Sequence, residues 1–388
     1  MFVLRLVLKN ALRHKLRTTL TILGMAIAIT AFGFLRTVVT AWSAGVEATA
    51  DNRMIVRHSV SFIFPLPISY REQIARLPGV DAVSYASWFQ GNYKDPGDWK
   101  NFFPRIAVDP DTYLSLYPEF LLPPEQFDQF KRERNACIVG AKIAREQGFK
   151  IGDVIPIEGD IYPGRWEFVV RGIYRGKDAK TDETQMFFQF AYLDERLRQE
   201  APMRAGQVGW YILRVDKASD MPRIAQAIDN MYLNSRAGTK TETEREFTQS
   251  FVSLSSAILN ALKATSYVII AVILIVLANT IIMAARERTR EYSVLKTIGF
   301  SQIHIVGLIG GEALLIAGIG CALGLALTFP ATAGLANAFP TFFPVVNVEP
   351  VTIALAVSVA FLAAVVAATF PSVRALRTRI AEGLRSIG

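Results

Sequence analysis

Four runs of residues nearly free of charge, 18–41, 264–285, 303–329 and 351–370, limit what this chain can fold into more than any other feature. A hydrocarbon core about 30 Å thick is crossed by about 20 helical residues rising about 1.5 Å each. Each run is long enough to span a membrane and too long for an ordinary core helix. The first carries one charge, Arg36, close enough to an end to extend its head to the interface. The third carries one acid, Glu312, and the second and fourth carry no charge. A basic start followed by an apolar run is also the plan of a cleaved signal peptide, but this run exceeds the about 7–15 apolar residues of one.

The flanking cations orient the spans, because Lys and Arg are retained on the cytoplasmic side. Arg5, Lys9, Arg13, Lys15 and Arg17 precede the first span. Arg286, Arg288, Arg290 and Lys296 lie between the second and third, and Arg374, Arg377, Arg379 and Arg385 follow the fourth, while 330–350 has no Lys or Arg. Both termini are therefore expected in the cytoplasm, with 42–263 and 330–350 outside. Arg5, Lys9, Arg13 and Arg17 recur every four residues, with Phe2, Val3, Leu6 and Val7 on another face. Residues 1–17 thus read as an amphipathic helix on the inner membrane surface, or as a cytosolic extension of the first span.

With 51% hydrophobic and 20% charged residues, the chain is neither disordered nor collagen-like. The net charge of +8 comes from cations that flank apolar runs, not from a basic stripe interleaved with aromatics, so nucleic acid is not expected as a partner. The segment 42–263 is long enough for its own core. Strand, helix and strand are expected at 53–59, 69–77 and 80–89, with Pro78-Gly79 stopping the helix. A second such unit is expected at 209–215, 220–234 and 239–244. The expected fold is therefore a membrane α-helical protein with four transmembrane helices and a large α+β extracytoplasmic domain. That domain would be a ferredoxin-like subdomain with an inserted β-rich subdomain over 102–205, with strands at 153–158, 166–174 and 185–192. From 247 to 263 the pattern turns helical and leads into the second span. Cys137 and Cys321 fall in different regions, and no disulfide between them is expected.

No chemistry-bearing motif stands out. The nearest approach to a Walker A loop, 172–178, has the wrong spacing and no hydroxyl after its lysine, so the chain is not expected to hydrolyse ATP. His14, His58 and His304 are scattered, no Cys/His cluster has metal-ligand spacing, and no nucleophile elbow occurs. No catalytic residue and no metal are expected. The connection 286–302 is richer. Its charges and apolar residues alternate at helical spacing, and Gly299 is placed to end the helix. A helix exposing Tyr292, Leu295 and Ile298 beside Glu287, Arg290, Glu291 and Lys296 would suit docking of another protein, although the same charges also serve simply to orient the spans. The third span holds two Gly-x-x-x-Gly spacings, Gly307/Gly311 and Gly320/Gly324, which let helices approach closely within the chain or across a dimer. Glu312 must face protein, a partner or water. It reads either as a helix-to-helix coupling contact or as a carboxyl held near the interface by a hydroxyl or backbone group.

These residues carry a resemblance. Residues 10–24, Asn-Ala-Leu-Arg-His-Lys-Leu-Arg-Thr-Thr-Leu-Thr-Ile-Leu-Gly, are similar to the lead-in to the first span of the MacB/FtsX/LolC group of ABC transporter permeases, the type VII or mechanotransmission class. So are 285–299 with the following Gly311-Glu312-Ala313-Leu314-Leu315, and the tail 371–385, where Gly383 stands at a position usually alanine. Residues 77–84 and 138–153 resemble the MacB-type periplasmic core.

The resemblance implies the division 1–17 surface helix, 18–41 first span, 42–263 periplasmic core domain, 264–285 second span, 286–302 coupling helix, 303–329 third span, 330–350 periplasmic loop, 351–370 fourth span and 371–388 cytoplasmic tail. It implies a bacterial inner-membrane permease subunit that is not itself an enzyme. Glu287, Arg290, Glu291, Tyr292, Leu295, Lys296, Ile298 and Gly299 would couple to an ATPase subunit present in two copies. Gly307, Gly311, Glu312, Gly320 and Gly324 would serve transmembrane packing or coupling. No cofactor is expected on this chain, ATP and magnesium belonging to the ATPase. Further implied partners are a second permease chain in a homodimer or heterodimer, membrane lipid, and a periplasmic adaptor with an outer-membrane channel. The implied work is ATP-driven export or extraction of a lipid, lipoprotein, peptide or drug. The rival implication is an FtsX-like signal transmitter that controls an envelope enzyme without transport.

Overall fold

The computed structural model describes residues 13–47, 49–178, 180–254, 256–339, 343 and 346–377. Most of the expected surface helix 1–17, the tail beyond 377 with its Gly383 motif, and parts of the 330–350 loop lie outside the described residues. The chain divides into two compact units, Met1–Thr40 with Ser256–Leu335 and Val346–Gly388, and Ala41–Ser255 with Ala336–Val345.

The first unit is built on four long helices, Lys15–Glu47, Ser256–Glu287, Gln302–Ala338 and Pro350–Arg377, each with a stretch apolar enough to cross a membrane. All four overrun the apolar runs that announce them. The third passes through Pro330, where the expected loop begins, and the fourth passes through Pro371. A proline removes one helical hydrogen bond, which neighbouring hydroxyls in a span help to compensate. Beside Pro330 the Thr332 hydroxyl donates to the Thr328 carbonyl (3.0 Å) and Thr328 to that of Gly324 (2.9 Å), on either side of the Ala326 carbonyl that the proline deprives of its helical donor. Leu20, Ile27, Val268, Ile275, Phe361 and Leu362 are exposed on the outside of the bundle, as acyl chains rather than water require.

Inside the bundle, Met25, Ile29 and Phe32 meet Ile273, Leu277 and Ile281 of the second span and Ile305, Ile309 and Ile316 of the third. The fourth span contributes a row of buried alanines, Ala356, Ala360, Ala363, Ala364 and Ala367, which share one helix face and let it pack closely on the second span. The first and third spans touch through glycine. A Cβ on Gly324 would lie 2.6 Å from the Ile29 Cβ and 2.8 Å from the Ala26 carbonyl oxygen, and one on Gly320 would lie 2.6 Å from the Met25 Cβ. The Thr30 hydroxyl crosses to the Gly324 carbonyl at 3.0 Å. The Gly320/Gly324 spacing is thus used within the chain, whereas a Cβ on Gly307 meets nothing within 4 Å. We expect Gly324→Val to cost about 1–3 kcal/mol of bundle stability, since backbone cannot move aside as a side chain can. Thermal denaturation in detergent should show this, with Gly307→Val close to wild type.

Among its described residues the second unit carries nine strands of four or more residues: β1 (Arg53–His58), β2 (Val80–Trp88), β3 (Arg105–Val108), β4 (Ala136–Gly140), β5 (Val154–Gly159), β6 (Gly164–Gly176), β7 (Met186–Gln189), β8 (Trp210–Val215) and β9 (Thr239–Thr243). With two two-residue strands they form one eleven-stranded sheet in the order β9-β1-β8-β2-β3-β7-β4-β6-β5. The first four in that order are antiparallel neighbours. With helices Tyr70–Ala75 and Met221–Met231 they make the ferredoxin-like arrangement, two βαβ units with the second pair of strands flanking β1. Gly79, at φ +93°, supplies the left-handed turn into β2.

The insertion is not a separate sheet. β3 pairs antiparallel with β2, so the inserted strands extend the ferredoxin-like sheet sideways. It also holds helices Pro124–Arg132, Ala141–Gln147 and Phe190–Glu200, more helix than its expected β-rich character implies. The strand expected at 185–192 ends at Gln189, where the helix takes over. β6 shows why such strands are legible, since Trp166, Phe168, Val170 and Tyr174 alternate inward along it. Helix Glu244–Leu254 follows β9, and the second long helix begins at Ser256.

Arg105 is the most deeply buried cation among the described residues of this unit, 1% exposed. Its guanidinium donates to the Gly91 carbonyl (2.9 Å) and lies 4.0 Å over the Phe103 ring, and burial lowers its pKa to about 10. It holds the 91–101 loop to the sheet.

Candidate functional site

The connection between the second and third spans is where the sequence placed most of its candidate residues. The second helix ends at Glu287, and a short helix, Thr289–Thr297, follows after a turn at Arg288. Gly299, at φ +97°, closes it in the left-handed conformation that glycine adopts without strain.

Arg288 points inward. Its Nη1 donates to Glu312 Oε2 at 2.8 Å, with both side chains less than 10% exposed (4% and 8%). The lone acid of the third span is therefore held by a cation of the connection rather than by a hydroxyl or backbone group. Glu312 lies about 15 Å along the helix from Gln302, at about 1.5 Å per residue, a depth at which an unpaired carboxylate would be strongly disfavoured. Arg288 was legible only as a topology charge, so its role as partner to Glu312 was missed.

The remaining charges tie the connection to the other spans. Glu287 accepts from Arg17 Nη1 through both oxygens (2.9 and 2.8 Å), with His14 Nε2 at 3.6 Å, and Glu291 pairs with Arg13. Arg17 lies in the first turn of the first long helix. Lys296 Nζ donates to the carbonyls of Ala375 (2.8 Å) and Leu376 (3.4 Å), at the end of the described part of the fourth helix. One short helix and its flanks thus hold contacts with spans one, three and four and are continuous with span two.

The expected docking surface changes accordingly. Tyr292 is not exposed: it sits in the bundle core, 6% exposed, and burial pushes its phenol up to about 12. Leu295 packs partly buried against the same core. The short helix turns its apolar face to the bundle, because that face buries more there than in water. Ile298 (70% exposed) remains on the outside with Val294 (39% exposed). The side chain of Arg290 lies outside the described ones. Among the transmembrane candidates, Gly320 and Gly324 meet the first span and Glu312 meets Arg288, while Gly307 is exposed and Gly311 half-buried. No cluster of three or more metal-ligating side chains occurs among the described residues.

Comparison with known proteins places the chain. Residues 18–231 match the model of the MacB-like periplasmic core domain, and residues 263–380 match that of the FtsX-like permease C-terminal region. No curated protein sequence matches. Among solved structures, the extracellular domain of the noncanonic ABC-type transporter YknZ from Gram-positive bacteria shares 10% identity at TM-score 0.36, over 50% of this chain and 99% of that one. The periplasmic region of MacB from Actinobacillus actinomycetemcomitans shares 7% identity at TM-score 0.36, over 52% and 92%. A domain of a permease protein from Porphyromonas gingivalis shares 13% identity at TM-score 0.34, over 50% and 90%. Membership rests on the two family models, the first of which spans more than half of the chain. Four apolar spanning helices, a ferredoxin-like domain between the first two of them and both family matches make this chain a membrane permease of the MacB/FtsX family of ABC-type transporters.

Proposed function

We propose that the chain transmits work from a separate ATPase subunit to the large domain between its first two spans. The short helix Thr289–Thr297 is the coupling helix, placed in the cytoplasm with both chain termini, and the ATPase carries ATP and magnesium. The observation that supports this reading is the ion-pair clamp. Arg288 with Glu312, Arg17 with Glu287, Arg13 with Glu291, and Lys296 on the fourth helix bind one lever to the bundle, so a push on it moves the spans together. Two permease chains would act with two ATPases.

The described interior of the bundle is mostly aliphatic, its buried threonine and serine hydroxyls are scattered, and its buried acid is matched by an arginine, so the described residues of a single copy form no polar conduit across the bilayer. That favours conformational work on a lipid, lipoprotein, peptide or drug already in the outer leaflet or outside, passed on through an adaptor.

The test is co-expression and co-purification with a candidate ATPase subunit of an ABC-type transporter. Ile298→Asp and Val294→Asp alter exposed apolar side chains and spare the clamp. We expect each to reduce ATPase recovery at least about tenfold, an apolar contact replaced by a desolvated charge. Full recovery with both variants would place the ATPase elsewhere. Leu295→Asp is a poor test, because Leu295 also packs in the bundle.

A further inference from the structure

The second unit carries an open groove, apolar in one half and more polar in the other, that no part of the proposed transmission uses. Two depressions, of about 710 and about 570 Å³, adjoin at the end of β6 and share Ile173 and Arg175 as lining residues. Residues two apart on a strand face the same way, so these two side chains form the saddle between the depressions. One side is walled by Leu121, Leu122 and Ile151 beside the start of helix Pro124–Arg132. The other is walled by Ala144, Arg145 and Phe149 at helix Ala141–Gln147. The Gln126 side chain accepts from the Ile173 N–H at 2.9 Å and fixes the saddle. Leu121 and Ile151 are about half exposed, at 51% and 48%.

The charges in the groove are lopsided. Arg145 and Arg175 are exposed and form no ion pair among the described residues. The one carboxylate among the lining residues, Glu183, is engaged by the Gly176 N–H at 2.8 Å. We propose that this groove docks an extended segment of a partner polypeptide that alternates apolar and acidic side chains, the apolar ones seated on Leu121, Ile151 and Ile173 and the acidic ones on Arg175 and Arg145. A polypeptide fits better than an acyl chain because both depressions are open. A bare acyl chain would keep much of its surface in water and forgo about 25 cal/mol for each Å² left unburied, whereas a peptide keeps its polar half solvated.

The probe is a short, end-blocked, fluorescent peptide of alternating leucine and aspartate, titrated onto the purified full-length chain in lipid discs. Its counterpart with lysine for aspartate, and oleate as a competitor, complete the set. The expected result is saturable binding of the acidic peptide that weakens with salt, falls at least about tenfold with Arg175→Glu and with Arg145→Glu, and is absent for the basic peptide. Both arginines are exposed, so neither variant threatens the fold. Equal binding of both peptides, or binding indifferent to both reversals, overturns the proposal. Oleate binding at Arg175 with no peptide binding overturns it in favour of a lipid site.

Discussion

Arg288→Met and Glu312→Leu, made singly, will each destabilise the membrane unit by about 3–5 kcal/mol, and the double variant will recover much of that loss. Each single change strands one charge in a site shielded from water, and breaking a buried pair costs more than replacing both members with apolar groups of similar size. The pair is short (2.8 Å) and both side chains are nearly inaccessible, so water cannot compensate for a missing partner. Unfolding of the purified protein in graded denaturing detergent, run as a double-mutant cycle, measures the coupling directly. Additive singles of under about 1 kcal/mol each would mean that the pair behaves as a solvated surface bridge. The double variant also separates stability from transmission. If the clamp carries the stroke, that variant will retain the ATPase and lose the substrate-stimulated component of ATP turnover.

The sequence made some of this architecture plain and hid the rest for physical reasons. The bilayer imposes a length on spanning helices, so all four spans were visible. They were not bounded, because helices continue past Pro330 and Pro371, a long packed span tolerating the one hydrogen bond that each proline removes. The ferredoxin-like strands could be read because 80–88 and 210–215 carry the apolar character and turn signals of sheet. The pairing of β2 with β3 across a 16-residue gap could not, being non-local. The run 185–192 is apolar apart from Gln185 and Gln189, and such a run suits strand and buried helix equally, which is why its last residues were misplaced. At the connection, helical spacing shows that Tyr292 and Leu295 share a face but not what that face meets, and it meets the bundle. Glu312 was legible as an anomaly. Its partner lies 24 residues earlier, among arginines that all look alike as topology signals.

Arg53→Met will cost the large domain about as much as losing the membrane pair, about 3–5 kcal/mol, by leaving two carboxylates facing one another without their cation. Arg53 opens β1, just after the first long helix, and its guanidinium is 4% exposed. Nη2 donates to Glu119 Oε1 (2.6 Å), Nη1 to Glu119 Oε2 (3.0 Å) and to the Leu116 carbonyl (2.9 Å), and Nε to Glu244 Oε2 (2.7 Å). The Tyr117 ring lies 4.2 Å beneath. Burial opposes the charge, but the hydrogen bonds that Arg53 donates to Glu119 and the charge of Glu244 outweigh it and drive the pKa up, so the guanidinium stays charged at any working pH. Glu244 is the first residue of the helix that precedes the second span, so this one side chain joins the strand that follows span one to the helix that leads into span two. Arg53→Lys keeps the charge but has no planar fork to serve both carboxylates, and should fall between wild type and Arg53→Met. Pulse proteolysis of the full-length protein, scored on fragments of 41–255, reads the domain's stability apart from that of the bundle. The diagnostic result is loss of domain protection with the bundle's own unfolding unchanged; equal protection of wild type and Arg53→Met would show that the two carboxylates can be accommodated without their arginine.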